Sequence, residues 1–156
     1  DELDGYVGVN NHMGSKFTTD EKAMRSFLKV VKEKGLLFVD SKTLESSVGD
    51  KISEEMDIPY ASRDVFIDHV IGEKESLKQL ELLEKQAIKY GSSLGIGHPH
   101  KTTVAALKKW LPTLKAKGIE IVPISYIVDD NYARIMARKI ENSKLSLKSD
   151  KKGDKN

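Results

Sequence analysis

Apolar and polar positions fall in blocks along this chain. Four short apolar runs each end in a polar cluster, GYVGVNNH, LLFVDS, DVFIDH and LGIGHPH, and a fifth, IEIVPIS, follows at residues 119–125. Continuous apolar runs of this length, bounded by turn residues, predict strands buried on both faces, the kind found in parallel sheets. The segments between them have helical spacing. After the first run, Thr18 and Glu21 form a capping-box pattern, Met24, Phe27, Leu28 and Val31 follow on one side, and Gly35 sits where a left-handed terminating residue belongs. Residues 73–90 carry Leu77, Leu80, Leu83, Ala87 and Tyr90 on one side, with Gly91 immediately after. Residues 102–118 place Val104, Leu107, Leu111 and Leu114 in register behind two threonines that suit a cap, and Pro112 predicts a kink inside that helix. A weaker pattern, with Val48, Ile52 and Met56 four residues apart, suggests a helix within 44–58. A terminal helix is expected over 129–143, with Ile135, Met136 and Ile140 as its apolar side, and then a polar, disordered tail over 144–156.

The polar strand ends recur with a regular beat: His12, Asp40, His69 and His98 are separated by 28, 29 and 29 residues. Strands alternating with helices at this interval predict βα units and parallel pairing, in an open doubly wound sheet or in a barrel. A closed (β/α) barrel needs about 250 residues, so five units predict only the later part of one, with further chain upstream. In either architecture the carboxyl ends of the strands share one rim, where ligands and catalytic groups collect. All four histidines, His12, His69, His98 and His100, fall at that rim, together with Asn10, Asn11, Asp40, Asp64 and Asp68. Any α/β domain has polar residues where strands give way to loops, and one histidine there carries no message. Four of four, with none on a helix face or in the tail, points to chemistry by imidazole and carboxylate. Asp68, beside His69 on an alternating strand, is expected to face away from it and to hold a helix end or a neighbour. Met24, Phe27 and Trp110 are most simply core.

Composition narrows the setting without naming a partner. The 26 basic side chains against 24 acidic ones leave a net charge of +2, and several of the lysines lie in the last dozen residues. Neither nucleic acid nor an anionic membrane is demanded by that balance. No apolar run reaches the roughly 18 residues that span a bilayer, and no signal-peptide pattern opens the chain. With no cysteine, disulfides, thiolate nucleophiles and cysteine-ligated zinc are all excluded, so a metal would need histidine and carboxylate ligands.

GVNNHMGSKFT, GLLFVDSKT, RDVFIDH and IGHPHKTTVAALKKWLPTLKAKGIEIVPIS occur in this order over residues 5 to 128. Together they resemble the divergent polysaccharide deacetylases, relatives of the carbohydrate esterases that remove acetyl groups from chitin, xylan and peptidoglycan. The resemblance implies a deformed (β/α) barrel of mainly parallel strands, of which residues 1–128 supply only the later βα units, with a divalent metal, zinc before others, at its rim. The paired-aspartate and histidine motifs that hold the metal in the wider family would lie upstream of Asp1. LGIGH matches the family's late histidine motif, which makes His98 the counterpart of the residue that protonates the leaving group. The resemblance further implies His12 as a metal ligand, Asp40 or Asp64 as the carboxylate that orients His98 or another rim histidine, and Asn10, Asn11, His69 and His100 as contacts to substrate. NNHMGS stands where the better-known enzymes have an arginine and prolines. The implied function is metal-dependent removal of acetyl groups from a polysaccharide or peptidoglycan-type glycan outside the cytoplasm. The alternative is a non-catalytic glycan-binding or envelope module on the same barrel.

Overall fold

In the computed structural model the backbone is described for residues 5–153 and side chains for residues 5–142. Strand β1 (Gly8–Asn10) pairs in parallel with β2 (Leu37–Asp40), which pairs in parallel with β3 (Tyr60–Ser62). Val9, Phe38 and Tyr60 are in register across the three. A second parallel pair joins β4 (Val65–Phe66) to β5 (Gly95–Ile96), with Phe66 opposite Ile96. The two sheets meet along one stretch of chain. Arg63 N–H still bonds Asp40 O at 2.9 Å, and Asp64 N–H bonds Leu94 O at 2.9 Å, so the strand changes partners between adjacent residues.

The parallel βα arrangement is the predicted one, but a closed barrel is not formed by the described residues. β3 has no counterpart among the predicted strands, because Tyr60-Ala61-Ser62 follows Pro59 with a single large apolar residue. Conversely, the predicted strand at 119–125 is irregular over 119–123 and helical from Ile124. Pro123 lacks the N–H a ladder needs and has a fixed φ suited to starting a helix, and Ile121 is left 62% exposed.

Helix α1 (Ser15–Thr18) is a single turn ahead of α2 (Glu21–Glu33). The cap of α2 is Asp20, whose side chain accepts from Ala23 N–H at 3.0 Å, and not the predicted Thr18. Thr18 is fully buried and donates to Ser15 O. At the other end Gly35 adopts φ 64°, with Leu36 N–H on Val31 O and Gly35 N–H on Lys32 O, the paired bonds of a Schellman ending. The weak 44–58 pattern contains the shorter α3 (Gly49–Glu55), and α4 (Glu73–Tyr90) has the predicted bounds, with Gly91 at φ 90°. α5 (Lys101–Trp110) ends before Pro112, and the chain continues as two short 3-10 turns instead of a kinked helix. Proline deprives an α-helix of one internal bond, and a change to tighter turns absorbs that loss. The last helix, α6 (Ile124–Gly153), starts earlier than predicted. It also carries through 144–153, predicted as tail, while 154–156 lie outside the described residues. Lysine and leucine favour helix, and extending an existing helix adds a bond per residue without a new nucleation cost.

Two apolar clusters anchor the two sheets. The first gathers Met24, Leu28 and Val31 from α2, Phe38, Ile52, Ile58, Tyr60 and, from α6, Ile135. The second gathers Ile67, Leu80, Ala106, Trp110 and Leu114 under β4 and β5. No helix among the described residues is long and apolar enough to cross a membrane.

Candidate functional site

The turn from β5 into α5 carries the centre of the site. Gly97 packs closely there: a Cβ at this position would come within 3.2 Å of Ile67 Cβ and 3.4 Å of Asp68 Oδ2, so a side chain would have to displace Ile67 by a few tenths of an ångström. His98 follows, and Pro99 keeps it out of helical conformation. His100 N–H bonds back to His98 O at 2.8 Å, and His100 then caps α5 from an extended conformation, its carbonyl accepting from Val104 N–H.

Asp68, just beyond β4, lies beneath this turn with its side chain inaccessible to solvent. Its Oδ2 accepts from the His98 backbone N–H at 2.6 Å and from the Thr103 hydroxyl at 2.9 Å, and its Oδ1 lies 3.1 Å from His98 Nδ1. Burial pushes the Asp68 carboxyl up. The bonds from the His98 main chain, the His98 ring and Thr103 together outweigh burial and hold it below the usual carboxylate range. A buried charge is tolerable when it is met by donors on every side. An ionised carboxylate only accepts, so Nδ1 of His98 must carry the proton, and Nε2 is left for an incoming proton or a metal.

The His98 side chain is 41% exposed, in contrast to the buried aspartate behind it. Three rings surround it: Phe66 edge-on at 5.5 Å, His12 edge-on at 6.0 Å and His100 tilted at 5.6 Å between centroids. Asp68, His98 and His100 each offer a ligand atom within 4.8 Å of the others. Histidine and carboxylate donors without thiolate suit zinc and similar divalent ions. Since both Asp68 oxygens already accept hydrogen bonds, its fitting role toward an ion is to orient His98 from behind.

The other predicted residues separate from this cluster. Asp40 is fully buried beneath the turn after β2, accepting from Lys42 N–H at 2.7 Å and the Ser47 hydroxyl at 2.5 Å. Asp64 accepts from Leu94 N–H at 2.7 Å and helps to join β4 to β5. The carboxylate at His98 is therefore Asp68 and neither of the two named from the resemblance. Asn10 donates both amide hydrogens, to Val39 O at 3.0 Å and to the Ser41 hydroxyl at 2.8 Å. Asn11 accepts from Ser41 N–H at 2.8 Å and donates to Met13 O at 3.3 Å. Both asparagines thus lock the ends of β1 and β2 together. His69 is exposed, with Nδ1 3.4 Å from Phe66 O, and is not one of the three rings around His98.

Sequence reasoning had Asp68 holding a helix end or an unnamed neighbour, and Thr103 as a cap. The signal that would have joined them to His98 is period two: Phe66 and Asp68 share one side of the strand. Parallel register with Phe66 opposite Ile96 then carries Asp68 to the level of His98.

A family model described as divergent polysaccharide deacetylase matches residues 1–128. An uncharacterized protein of Haemophilus influenzae is 36% identical over 108 residues, which are 69% of this chain and 39% of that protein. The uncharacterized protein YibQ of Escherichia coli is 32% identical over 124 residues, 80% of this chain and again 39% of that protein. The crystal structure of an uncharacterized protein, ATU2773 of Agrobacterium tumefaciens C58, superposes with a TM-score of 0.76 at 30% identity, covering 78% of this chain and 50% of that one. The chain thus spans well under half the length of the two sequence relatives. With the family match over residues 1–128 and the motifs that carry it on the strands described above, the chain belongs to the divergent polysaccharide deacetylase family.

Proposed function

We propose that this chain supplies the proton-transfer half of a metal-dependent hydrolase that removes acetyl groups from a polysaccharide or peptidoglycan-type glycan. The observation that carries the reading is the buried Asp68 carboxylate on Nδ1 of a half-exposed His98. Asp68 fixes the tautomer and stabilises the imidazolium, so that Nε2 can hand a proton to the departing sugar amine or hydroxyl. Imidazole suits that task because its ordinary pKa of about 6.5 lies close to neutral. His12 and His100 flank His98 and are the side chains of this chain that would hold a divalent ion, with zinc the first choice. When bound, such an ion supplies Lewis acidity and a nucleophile at neutral pH. Phe66 closes one side of His98 and shields it from water on that side.

A second reading, glycan binding without hydrolysis, is favoured by one observation. The amide hydrogens of Asn10 are both engaged in joining the sheets' first two strands, so this residue has none left for an oxyanion. Acetate release from acetylated oligosaccharides, measured on the intact protein before and after chelation, separates the two. The first reading expects acetate that disappears on chelation and returns with zinc, and loss of metal from His12→Ala. Binding of the oligosaccharide with no acetate at any metal load would replace it with the second.

A further inference from the structure

Arg63 stands where the strand changes partners, and its side chain does not run out to solvent. Nε donates to Ser41 O at 2.7 Å and Nη2 to Lys42 O at 2.5 Å, two main-chain carbonyls of the turn after β2. That turn is held from β1 as well: the Ser41 N–H donates to Asn11 Oδ1 at 2.8 Å and the Ser41 hydroxyl to Asn11 O at 2.5 Å. Fixed by this two-pronged attachment, the guanidinium lies over Phe66, 5.3 Å from the ring centroid. Phe66 in turn meets His98 edge-on, with the rings at 89°.

We infer that Arg63 is a positioning residue for His98, acting through Phe66 and tying the imidazole to the first sheet. The role rests on His98 as the proton carrier. Its physical basis is torsional. The second side-chain torsion of histidine is broad, and the bond to Asp68 pins the half-exposed ring at one atom only. A ring packed edge-on supplies the second constraint, which fixes the plane and keeps Nδ1 aligned with the carboxylate. Phe66 has the same torsional freedom, and the cation lying over its face removes it. Lysine cannot replace the fork, because a single ammonium on a flexible stem does not hold two carbonyls in one plane.

Imidazole 15N NMR of the intact protein tests this alongside turnover. In the wild type at neutral pH, His98 shows the Nδ1–H tautomer. Arg63→Met moves its two ring nitrogens toward mixed-tautomer values and lowers turnover by about tenfold or more, while KM stays near its wild-type value. Arg63→Lys, which can serve one carbonyl at a time, falls between. Phe66→Leu, with Arg63 intact, reproduces the Arg63→Met spectrum and keeps the test available if Arg63→Met does not fold. The double variant is no worse than either single one, since both act through one line of contacts. Unchanged His98 nitrogens in the folded single variants overturn the role, and so do additive losses in the double one. If the wild type releases no acetate, the proposed hydrolysis fails, yet the His98 spectra still decide for or against Arg63.

Discussion

The half of the molecule around β1, β2 and β3 differs from the half around β4 and β5 in how it uses its polar residues. In the first, Asn10, Asn11, Asp40 and Ser41 all lie at strand ends, yet their hydrogen bonds run to other parts of the same half. Gly49 shows how close that packing is, since a Cβ there would approach Asp40 Oδ2 to 2.4 Å. Its core joins α2, β2, α3, β3 and α6. In the second half the strands are two residues long and the core is smaller. One carboxylate, Asp68, presents a half-exposed imidazole outward. On the proposed function the first half serves as scaffold and the second carries the proton-transferring imidazole, with His12 and the Arg63–Phe66 contact reaching across. Position on a rim does not make a residue functional; an unsatisfied, accessible atom does.

Substitutions can break this division or sharpen it. The largest effect is expected for Phe38→Ala in the scaffold core, a loss of about 3–5 kcal/mol of stability, measured by urea unfolding, with turnover per folded molecule unchanged. His98→Ala should do the reverse, lowering turnover by about a hundredfold with little change in the unfolding midpoint. Metal content measured on the same sample decides its role: retained metal keeps His98 as proton carrier, whereas lost metal would make it a ligand. A variant that damaged both stability and turnover in either case would end the division into scaffold and site.

Asp68→Asn should affect both quantities, because the carboxylate bonds the turn and orients the imidazole. Its folded value lies below the usual carboxylate range. The stabilisation is thus complete above the ordinary value of about 3.9 and is lost as pH falls through the lowered one. Wild type should exceed Asp68→Asn by about 1.5–3 kcal/mol at neutral pH, and the gap should shrink below about pH 4. A gap that stayed constant down to pH 2 would show that charge is not what the site uses. The smallest effect is expected for Asp20→Ala, about 1 kcal/mol from loss of the α2 cap, with no change in the His98 NMR spectrum.

Much of the scaffold was legible in the residues. The apolar runs and the 28- and 29-residue beat of their polar ends anticipated parallel βα units, and α4 and the left-handed Gly35 and Gly91 lie where local pattern put them. These features depend on neighbours within a few residues. The misses were of another kind. The strand at Tyr60–Ser62 exists because β2 offers it an edge, and residues 119–123 remain irregular because they pair with no strand among the described residues. Pro112 and Pro123 were visible in the sequence, but whether each would bend, end or begin a helix was decided by what packed around it.

At the site, residue type was legible and partnership was not. His98 was singled out by its motif, but Asp68 lies 30 residues away and was one of three aspartates on the same rim. By itself the sequence determined that polar side chains gather at the ends of apolar strands, because strand alternation and the βα repeat are local and periodic. Only the tertiary structure decided that Asp68 meets His98 while Asp40 and Asp64 brace the backbone. That choice depends on which strands are neighbours and in what register, and a carboxylate a few ångströms further from an imidazole loses its hold on it.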